Sequence, residues 1–159
     1  MRRALWLGVF LLLSSAGLAA EESFEVKLVV DGVYAAIAPG AYDGRCNSAI
    51  ALLDDGVLVA DTHLTPAQAR TLIAHVKKLT DKPVKYVLNT HPHGDHFQGN
   101  QAFLEAFPGV EIVASEVTRR DLESRGIPRV KRALSDANQK VEMLRADVAK
   151  ASEAQKQEL

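Results

Sequence analysis

The chain has 159 residues and an almost balanced charge, with 19 Lys and Arg against 20 Asp and Glu. This length allows one domain and hardly two, and a composition of 47% hydrophobic and 25% charged residues excludes collagen-like and wholly disordered proteins. Because there is no basic excess, we expect no nucleic-acid partner. A single cysteine excludes a framework of internal disulfides.

Residues 1–20 have the three-part layout of a secretory signal peptide. Two arginines precede an apolar run from Ala4 to Leu13, and small residues follow up to Ala19 and Ala20. The alternative is a membrane anchor, but the run is shorter than the roughly 20 apolar residues that span a bilayer. We therefore expect cleavage after Ala19 or Ala20, export to a periplasm or the extracellular space, and no membrane contact after cleavage.

Four strands and two hairpins are predicted before residue 62. Apolar and polar residues alternate in the first strand, as in a half-buried strand. Asp31-Gly32 predicts a hairpin turn in which both residues have positive φ, and a second turn of the same kind ends at Gly56. In an exported protein, Cys46 is expected to be a free, buried thiol. The predicted strands cover residues 24–30, 33–37, 48–53 and 57–60.

A capped helix begins after Thr65. Pro66 suits the first helical position, and Gln68 completes the capping-box pattern. The next segment, Val84 to Leu88, has the unbroken apolar character of a short buried strand. Farther along, the sequence predicts a short helix around 101–106, a strand at 111–114 and a long helix at about 128–156.

The long helix carries a stripe of apolar residues at alternating spacings of four and three, which is a heptad-like pattern. We expect this stripe to pack against the rest of the domain. The alternative is a coiled coil with a second chain, and therefore self-association through the helix. Two alanines in the stripe and a polar tail favour packing. The stripe consists of Val130, Leu134, Ala137, Val141, Leu144, Val148 and Ala151.

The segment with the strongest chemical signal is residues 90–96, Thr-His-Pro-His-Gly-Asp-His, directly after a predicted strand. In extended backbone, His91 and His93 point to the same side and are able to bind one ion, and imidazole is a common zinc ligand. The glycine permits a turn that lets Asp95 and His96 face a second ion. The alternative is a surface histidine cluster that binds metal incidentally. A cupin-type or amidohydrolase-type His-x-His site would leave Asp95-His96 unexplained.

The sequence His-Pro-His-Gly-Asp-His at 91–96 resembles the signature of the metallo-β-lactamase-fold hydrolases. The order of elements from Val26 to Leu122 is also similar to the N-terminal half of that fold, and the exported layout most resembles its subclass B3-like and quinoprotein-associated branches. The resemblance implies an α/β (α+β) fold, namely the N-terminal half of an αββα sandwich followed by a long C-terminal helix. Residues 21–159 would form this domain.

The resemblance also implies a role for each residue of the site. His91 and His93 would bind a first zinc ion, and Asp95 and His96 a second. Asp95 would be the catalytic residue as well, because it would orient the bridging hydroxide and relay a proton. Asp61 matches a carboxylate that supports the metal ligands from outside the ligand set. The alternative for Asp61 is a turn or cap residue at the end of a strand.

The family completes its site with two further histidines and a bridging aspartate in the C-terminal half, but this sequence has no histidine after His96. A catalytic zinc site typically has three protein ligands and a water molecule, and the first site here has two. We therefore expect the domain at 21–159 to be incomplete at its C-terminus. The alternative is a natural truncation with an impaired site.

The function implied by the resemblance is an exported zinc-dependent hydrolase that uses metal-held hydroxide to attack an ester, thioester or amide-type bond of a small molecule. Iron and manganese are able to occupy related sites. The fold does not imply β-lactam hydrolysis, since one metal loop serves many chemistries. The competing hypothesis is a non-catalytic exported metal-binding or interaction protein that self-associates through its long helix.

Overall fold

A computed structural model describes residues 24–39 and 45–157, with side chains as far as Ala151. The predicted signal peptide at residues 1–20 lies outside the described residues. The described part contains six strands, five α-helices and one π-helical turn. In chain order these are β1 (Glu25–Val30), β2 (Val33–Ile37), β3 (Ser48–Leu52), β4 (Val57–Ala60), α1 (Pro66–Leu79), β5 (Val84–Asn89), α2 (Gly94–Phe97), α3 (Asn100–Ala106), β6 (Glu111–Ala114), α4 (Glu116–Asp121), the π-helical turn (Leu122–Gly126) and α5 (Ile127–Gln157).

The six strands form one sheet in the order of the sequence. The pairs β1–β2, β2–β3 and β3–β4 are antiparallel, whereas the pairs β4–β5 and β5–β6 are parallel. Parallel neighbours need a crossover connection, which α1 supplies between β4 and β5, and α2 and α3 supply between β5 and β6. The carboxyl ends of β4 and β5 therefore lie side by side, and this places the loops that follow them together.

The strand predictions are confirmed to within one residue at each end. The predicted turn geometry is wrong for both hairpins. In the second turn neither Asp55 nor Gly56 has a positive φ, and in the first only Gly32 does, with a φ of 74°. Asp31 therefore lies outside the left-handed region. The pairing of β1 with β2 shifts register between Leu28 and Val30, as at a β-bulge, and a bulged hairpin needs only one residue with positive φ.

The hydrophobic core lies between α1, α3 and the sheet. The predicted capping box is present, with Gln68 N–H donating to Thr65 Oγ1 at 3.2 Å and Thr65 N–H donating to Gln68 Oε1 at 3.1 Å. This cap fixes the start of α1 and turns its apolar face towards the strands. The buried residues of the core include Ala36, Ile50, Val57, Val59, Ala69, Leu72, Ile73, Val76, Val84, Val87, Ala102 and Phe103.

The long helix α5 covers the predicted range, but its stripe does not pack on the domain. All described side chains from 131 to 151 are exposed. Leu134 is 60% exposed and Val148 is 65% exposed, so the expectation of packing is wrong beyond Val130. The partly buried side chains of α5, Pro128 and Val130, lie in its first turn. In the part of the chain that the structure describes, no helix is long and apolar enough to span a bilayer.

Helices α2 and α4 and the π-helical turn were not predicted. At four, six and five residues, they are too short to show a helical period in the sequence. The α/β (α+β) class, with one mixed sheet and a long C-terminal helix, is confirmed.

Candidate metal centre

The candidate site forms where β4 and β5 end. Asp61 directly follows β4, and Thr90 directly follows β5. The backbone N–H of Asp61 donates to the carbonyl of Leu88 at 2.9 Å, so the parallel pairing of the two strands continues into the loops. His91 and His93 lie in the loop after Thr90. Asp95 and His96 lie one turn farther on, in α2 (Gly94–Phe97).

Asp61 is the centre of a hydrogen-bond network. It is 5% exposed. Its Oδ1 accepts from the Thr90 backbone N–H at 2.9 Å, and its Oδ2 accepts from the Thr90 hydroxyl at 2.7 Å and from His96 Nδ1 at 2.8 Å. The backbone φ of Asp61 is 65° and that of His63 is 71°, so this carboxylate also lies in a tight turn. The structure thus places Asp61 in direct contact with His96. Asp61 is also a turn residue at the end of a strand, which was the alternative prediction for it.

This network sets the proton positions on two histidines. The Thr90 hydroxyl donates its only proton to Asp61, so its oxygen is left to accept from His91 Nδ1 at 3.0 Å. His96 donates its own Nδ1 proton to Asp61. With Nδ1 as the donor, the lone pair of each ring lies on Nε2, and this is the tautomer that binds metal through Nε2. A carboxylate that holds the other ring nitrogen is the usual support for a histidine ligand.

The rings of the three motif histidines lie against one another. His91 Nε2 is 3.1 Å from His93 Nδ1, and the ring centroids of His91 and His96 are 3.9 Å apart. Two nitrogens that each lie about 2.0–2.1 Å from one tetrahedral zinc ion are about 3.4 Å from each other, so the separation of His91 and His93 fits a shared ion. Partial burial, followed by the charges of His96 and His93, lowers the pKa of His91 and favours its neutral form.

The same residues form a second possible grouping. Ligand atoms of Asp61, His91 and His96 all lie within 4.8 Å of one another. The oxygens of Asp61 already accept three hydrogen bonds, two from Thr90 and one from His96. Asp95 contributes a carboxylate oxygen 3.5 Å from His96 Nε2. A donor set of imidazole nitrogens and a carboxylate suits zinc and also suits iron or manganese.

A second network fixes the backbone of α2 and was not predicted. The carbonyl of His96 accepts from Thr62 N–H at 3.0 Å and from Asn89 Nδ2 at 3.0 Å. Asn100 joins both partners, because its Oδ1 accepts from the Thr62 hydroxyl at 2.7 Å and its Nδ2 donates to Asn89 Oδ1 at 2.8 Å. A polar residue at the end of an apolar strand is a signal that could have drawn attention to Asn89. The sequence gives no such signal for Thr62 or Asn100.

Gly99 allows the loops to approach each other closely. A Cβ atom at this position would lie 1.8 Å from the carbonyl oxygen of Thr62. The Gly99 N–H also donates to the carbonyl of His63 at 2.9 Å. Glycine is therefore required here by space.

A buried polar cluster supports Asp61 from behind. Cys46 is a buried free thiol, as predicted, and its backbone N–H donates to His63 Nδ1 at 3.1 Å. His63 Nε2 therefore carries the proton and donates to Ser48 Oγ at 3.3 Å, and the Ser48 hydroxyl donates to the Asp61 carbonyl at 2.9 Å. Burial raises the pKa of the Cys46 thiol to about 11, so this thiol is not a nucleophile at neutral pH. A role for His63 was not predicted from the sequence.

Comparisons with known proteins agree with this architecture. The chain is 38% identical to a linear primary-alkylsulfatase from Pseudomonas sp. over 50 residues, which cover 31% of the chain and 10% of that protein. It is 39% identical to a hydroxyacylglutathione hydrolase from Gloeobacter violaceus over 70 residues, which cover 44% of the chain and 26% of that protein. The matches therefore span only a tenth to a quarter of these relatives.

Among solved structures, the fold matches the metallo-beta-lactamase FIM-1 from Pseudomonas aeruginosa in its mono-zinc form. The TM-score is 0.55 at 20% identity, over 67% of this chain and 48% of that one. At this identity the likeness shows the fold, of which the chain spans about half. The sequence profile of the metallo-beta-lactamase superfamily matches residues 41–158, which is most of the chain. The chain therefore belongs to the metallo-beta-lactamase superfamily.

Proposed function

We propose that this chain is the metal-binding part of an exported zinc-dependent hydrolase that cleaves an ester, thioester or amide-type bond of a small molecule. One observation carries the proposal. The carboxylate of Asp61 holds Nδ1 of His96 directly and Nδ1 of His91 through the Thr90 hydroxyl. Both rings then keep Nε2 for a metal ion, beside His93. The two relatives, an alkylsulfatase and a hydroxyacylglutathione hydrolase, are hydrolytic enzymes by name, and they support the same class of reaction.

The residues of the site divide into metal ligands and a residue that orients them. His91 and His93 hold a first ion, and Asp95 and His96 hold a second. Zinc, when bound, acts as a Lewis acid and lowers the pKa of a water molecule towards about 7. The carboxylate of Asp95 orients the attacking water and takes up its proton. Asp61 holds His96 directly, and His91 through Thr90, in the orientation that offers Nε2 to a metal ion. The remaining ligands would come from a part of the protein outside this chain.

The test uses the full-length natural protein that contains this chain. We expect it to bind zinc and to hydrolyse members of a panel of esters, thioesters and amides, and His91→Ala and His93→Ala to lose both properties. His75→Ala, on the distant helix α1, is the matched control and should keep both. Hydrolysis that persists after zinc is removed by a chelator would contradict the proposal.

Export is part of the same proposal and has its own test. The N-terminal sequence of the protein isolated from its source should begin near Glu21, since the predicted cleavage follows Ala19 or Ala20. A mature chain that still begins at Met1 would contradict export through a cleaved signal peptide.

The exposed stripe of α5 favours a second candidate, a non-catalytic exported interaction protein that self-associates through this helix. Leu134, Val141 and Val148 are 60%, 44% and 65% exposed. Sedimentation analysis would then show a dimer that dissociates when these three residues are replaced by serine. A monomer over the whole accessible concentration range would exclude this candidate.

A further inference from the structure

A cavity of about 330 Å³ lies beside the candidate metal centre. One wall comes from the metal loop, residues 90–99 with α2 inside it, and contains His93, Asp95 and Phe97. The opposite wall comes from the beginning of α5 and contains Arg129 and Val130. The cavity thus joins two of the four predicted metal ligands to a part of the chain that has no role in the proposed site.

The helical wall is one face of α5 and of the turn before it. This wall has the spacing of one helix face, because Arg129, Val130 and Ala133 follow Gly126 by three, four and seven positions. Gly126 is buried, and a Cβ atom there would lie 3.4 Å from the Pro92 carbonyl oxygen. The helix therefore begins against the metal loop, and this contact places Arg129 over the cavity.

Arg129 is the cationic side chain of this cavity. Several arginines on the described helices are paired with carboxylates, for example Arg70 with Glu105 at 3.5 Å and Arg119 with Glu116 at 2.9 Å. Arg132, which also lacks an ion pair within the described residues, does not line the cavity. Within the described residues Arg129 has no ion pair, and its side chain is exposed to the cavity and to solvent. An unpaired guanidinium beside a candidate reaction centre is available for an anionic ligand.

We propose that Arg129 is the residue that selects anionic substrates, by binding a carboxylate or sulfate group of a molecule whose scissile bond lies at the metal loop. This inference rests on the proposed hydrolase function. The planar guanidinium is able to form two parallel hydrogen bonds with such a group. The apolar side chains of Phe97 and Val130 line the same cavity and would contact the carbon skeleton between the anion and the scissile bond.

The test compares two acetate esters that differ by one charge, 4-nitrophenyl acetate and 5-acetoxy-2-nitrobenzoate. The protein is the full-length, zinc-loaded form, with Arg129→Gln as the variant. Arg132→Gln removes the same charge three positions farther along α5, where the residue does not line the cavity, and it is the matched control. For Arg129→Gln we expect kcat/KM to fall about 10- to 100-fold for the anionic ester, as for a lost hydrogen bond to a charged group, and to stay within about twofold for the neutral ester.

A second readout does not depend on turnover. Equilibrium dialysis of 5-hydroxy-2-nitrobenzoate, the product anion, should show weaker binding to Arg129→Gln than to Arg132→Gln, and Arg129→Lys should recover part of the affinity. Equal losses for both esters, or equal binding of the anion by both glutamine variants, would overturn the role of Arg129. Absence of hydrolysis of either ester by the unaltered protein would count against the hydrolase proposal instead, because the dialysis result would still report on the anion site.

Discussion

The metal loop and the long helix differ in what surrounds them. The loop at residues 90–99 is held by hydrogen bonds with the turn at 61–63 after β4 and with β5, α3 and α4, including one from the Thr118 hydroxyl to the Thr90 carbonyl at 3.2 Å. The helix α5 has no buried side chain from 131 to 151 within its described part. Both segments showed clear patterns in the sequence, but only the loop is embedded in the described fold.

The difference shows what each kind of pattern establishes. A histidine and aspartate motif specifies chemistry, and its geometry depends on partners that lie far away in sequence, such as Asp61. An apolar stripe specifies only that a face is suited to burial. Which surface covers that face depends on the rest of the molecule or on another chain. The expected packing was therefore the weaker of the two inferences, although the stripe is regular.

The largest expected effect comes from breaking the close approach beneath the metal loop. In Gly99→Ala, the new methyl group would overlap the Thr62 carbonyl oxygen at 1.8 Å, and backbone is unable to move aside as a flexible side chain does. We expect a loss of at least about 4 kcal/mol in the free energy of unfolding, measured by urea denaturation.

The control for this variant is Gly56→Ala. Its added Cβ atom would mainly meet the side chain of Lys85, at 2.7 Å, and a lysine chain is able to rotate away. We expect a loss below about 1 kcal/mol there. Equal losses in the two variants would show that the contact between Gly99 and Thr62 is not what holds the loop.

The contrast between the hydrophobic core and α5 is tested by a leucine-to-alanine substitution in each, compared by the free energy of unfolding. Leu72 is fully buried in α1, whereas Leu134 is 60% exposed in α5. We expect Leu72→Ala to cost about 3 kcal/mol, through lost burial and a cavity, and Leu134→Ala to stay within about 0.5 kcal/mol. Urea denaturation at two protein concentrations measures both. A cost for Leu134→Ala that grows with concentration would show that a second copy covers the stripe.

Much of the fold was predictable because local signals agreed with the final structure. The capping box at Thr65, the alternation in the first strand and the apolar run at 84–88 each determine an element without help from distant residues. The short helix α2 was not predictable in this way, since four residues carry no period. The expectation of packing for α5 was wrong because an apolar stripe does not specify which surface covers it.

The candidate site was predictable as chemistry and less so as geometry. Asp61 was singled out through the resemblance, but its hydrogen bonds to Thr90 and His96 depend on the pairing of β4 with β5. Thr62 and Asn100 were missed because their roles arise from carbonyl and amide groups that meet only in the folded chain. The assignment of His91, His93, Asp95 and His96 to particular ions stays a prediction.

The next largest effect is expected from Asp61→Asn, which tests whether Asp61 orients the predicted metal ligands. In Asp61→Asn the side chain keeps its size, and asparagine tolerates the positive φ. The side chain then has one acceptor oxygen instead of two, because an NH₂ group replaces the second oxygen. We expect zinc affinity to fall about 10- to 100-fold, as for other residues that orient a histidine ligand, measured by competition with a chromophoric chelator. Asp55→Asn removes an exposed carboxylate paired with Lys85 and should leave zinc affinity unchanged. Unchanged affinity in Asp61→Asn would mean that the histidines are oriented without it.

The smallest expected effect concerns Cys46, behind the Asp61 turn. Its pKa is raised from 9.0 to about 11 by burial, so the folded protein keeps the thiol protonated over a pH range in which the unfolded chain ionises. The contribution of this group to stability is therefore fully present below about pH 9, and it is lost as the pH rises towards about 11. Tyrosine and lysine side chains titrate in the same range, so the effect of Cys46 is measured as a difference between two proteins.

Urea midpoints of the unaltered protein and of Cys46→Ala, taken at several values from pH 8 to pH 11, give that difference. We expect the stability advantage of the unaltered protein to shrink as the pH rises, because only its unfolded state gains from ionising a thiol. The same burial should make the folded thiol react about 100-fold more slowly with iodoacetamide at pH 8 than the unfolded thiol does. Parallel pH curves for the two proteins, together with fast labelling of the folded chain, would show that Cys46 is accessible and that the support behind Asp61 opens readily in solution.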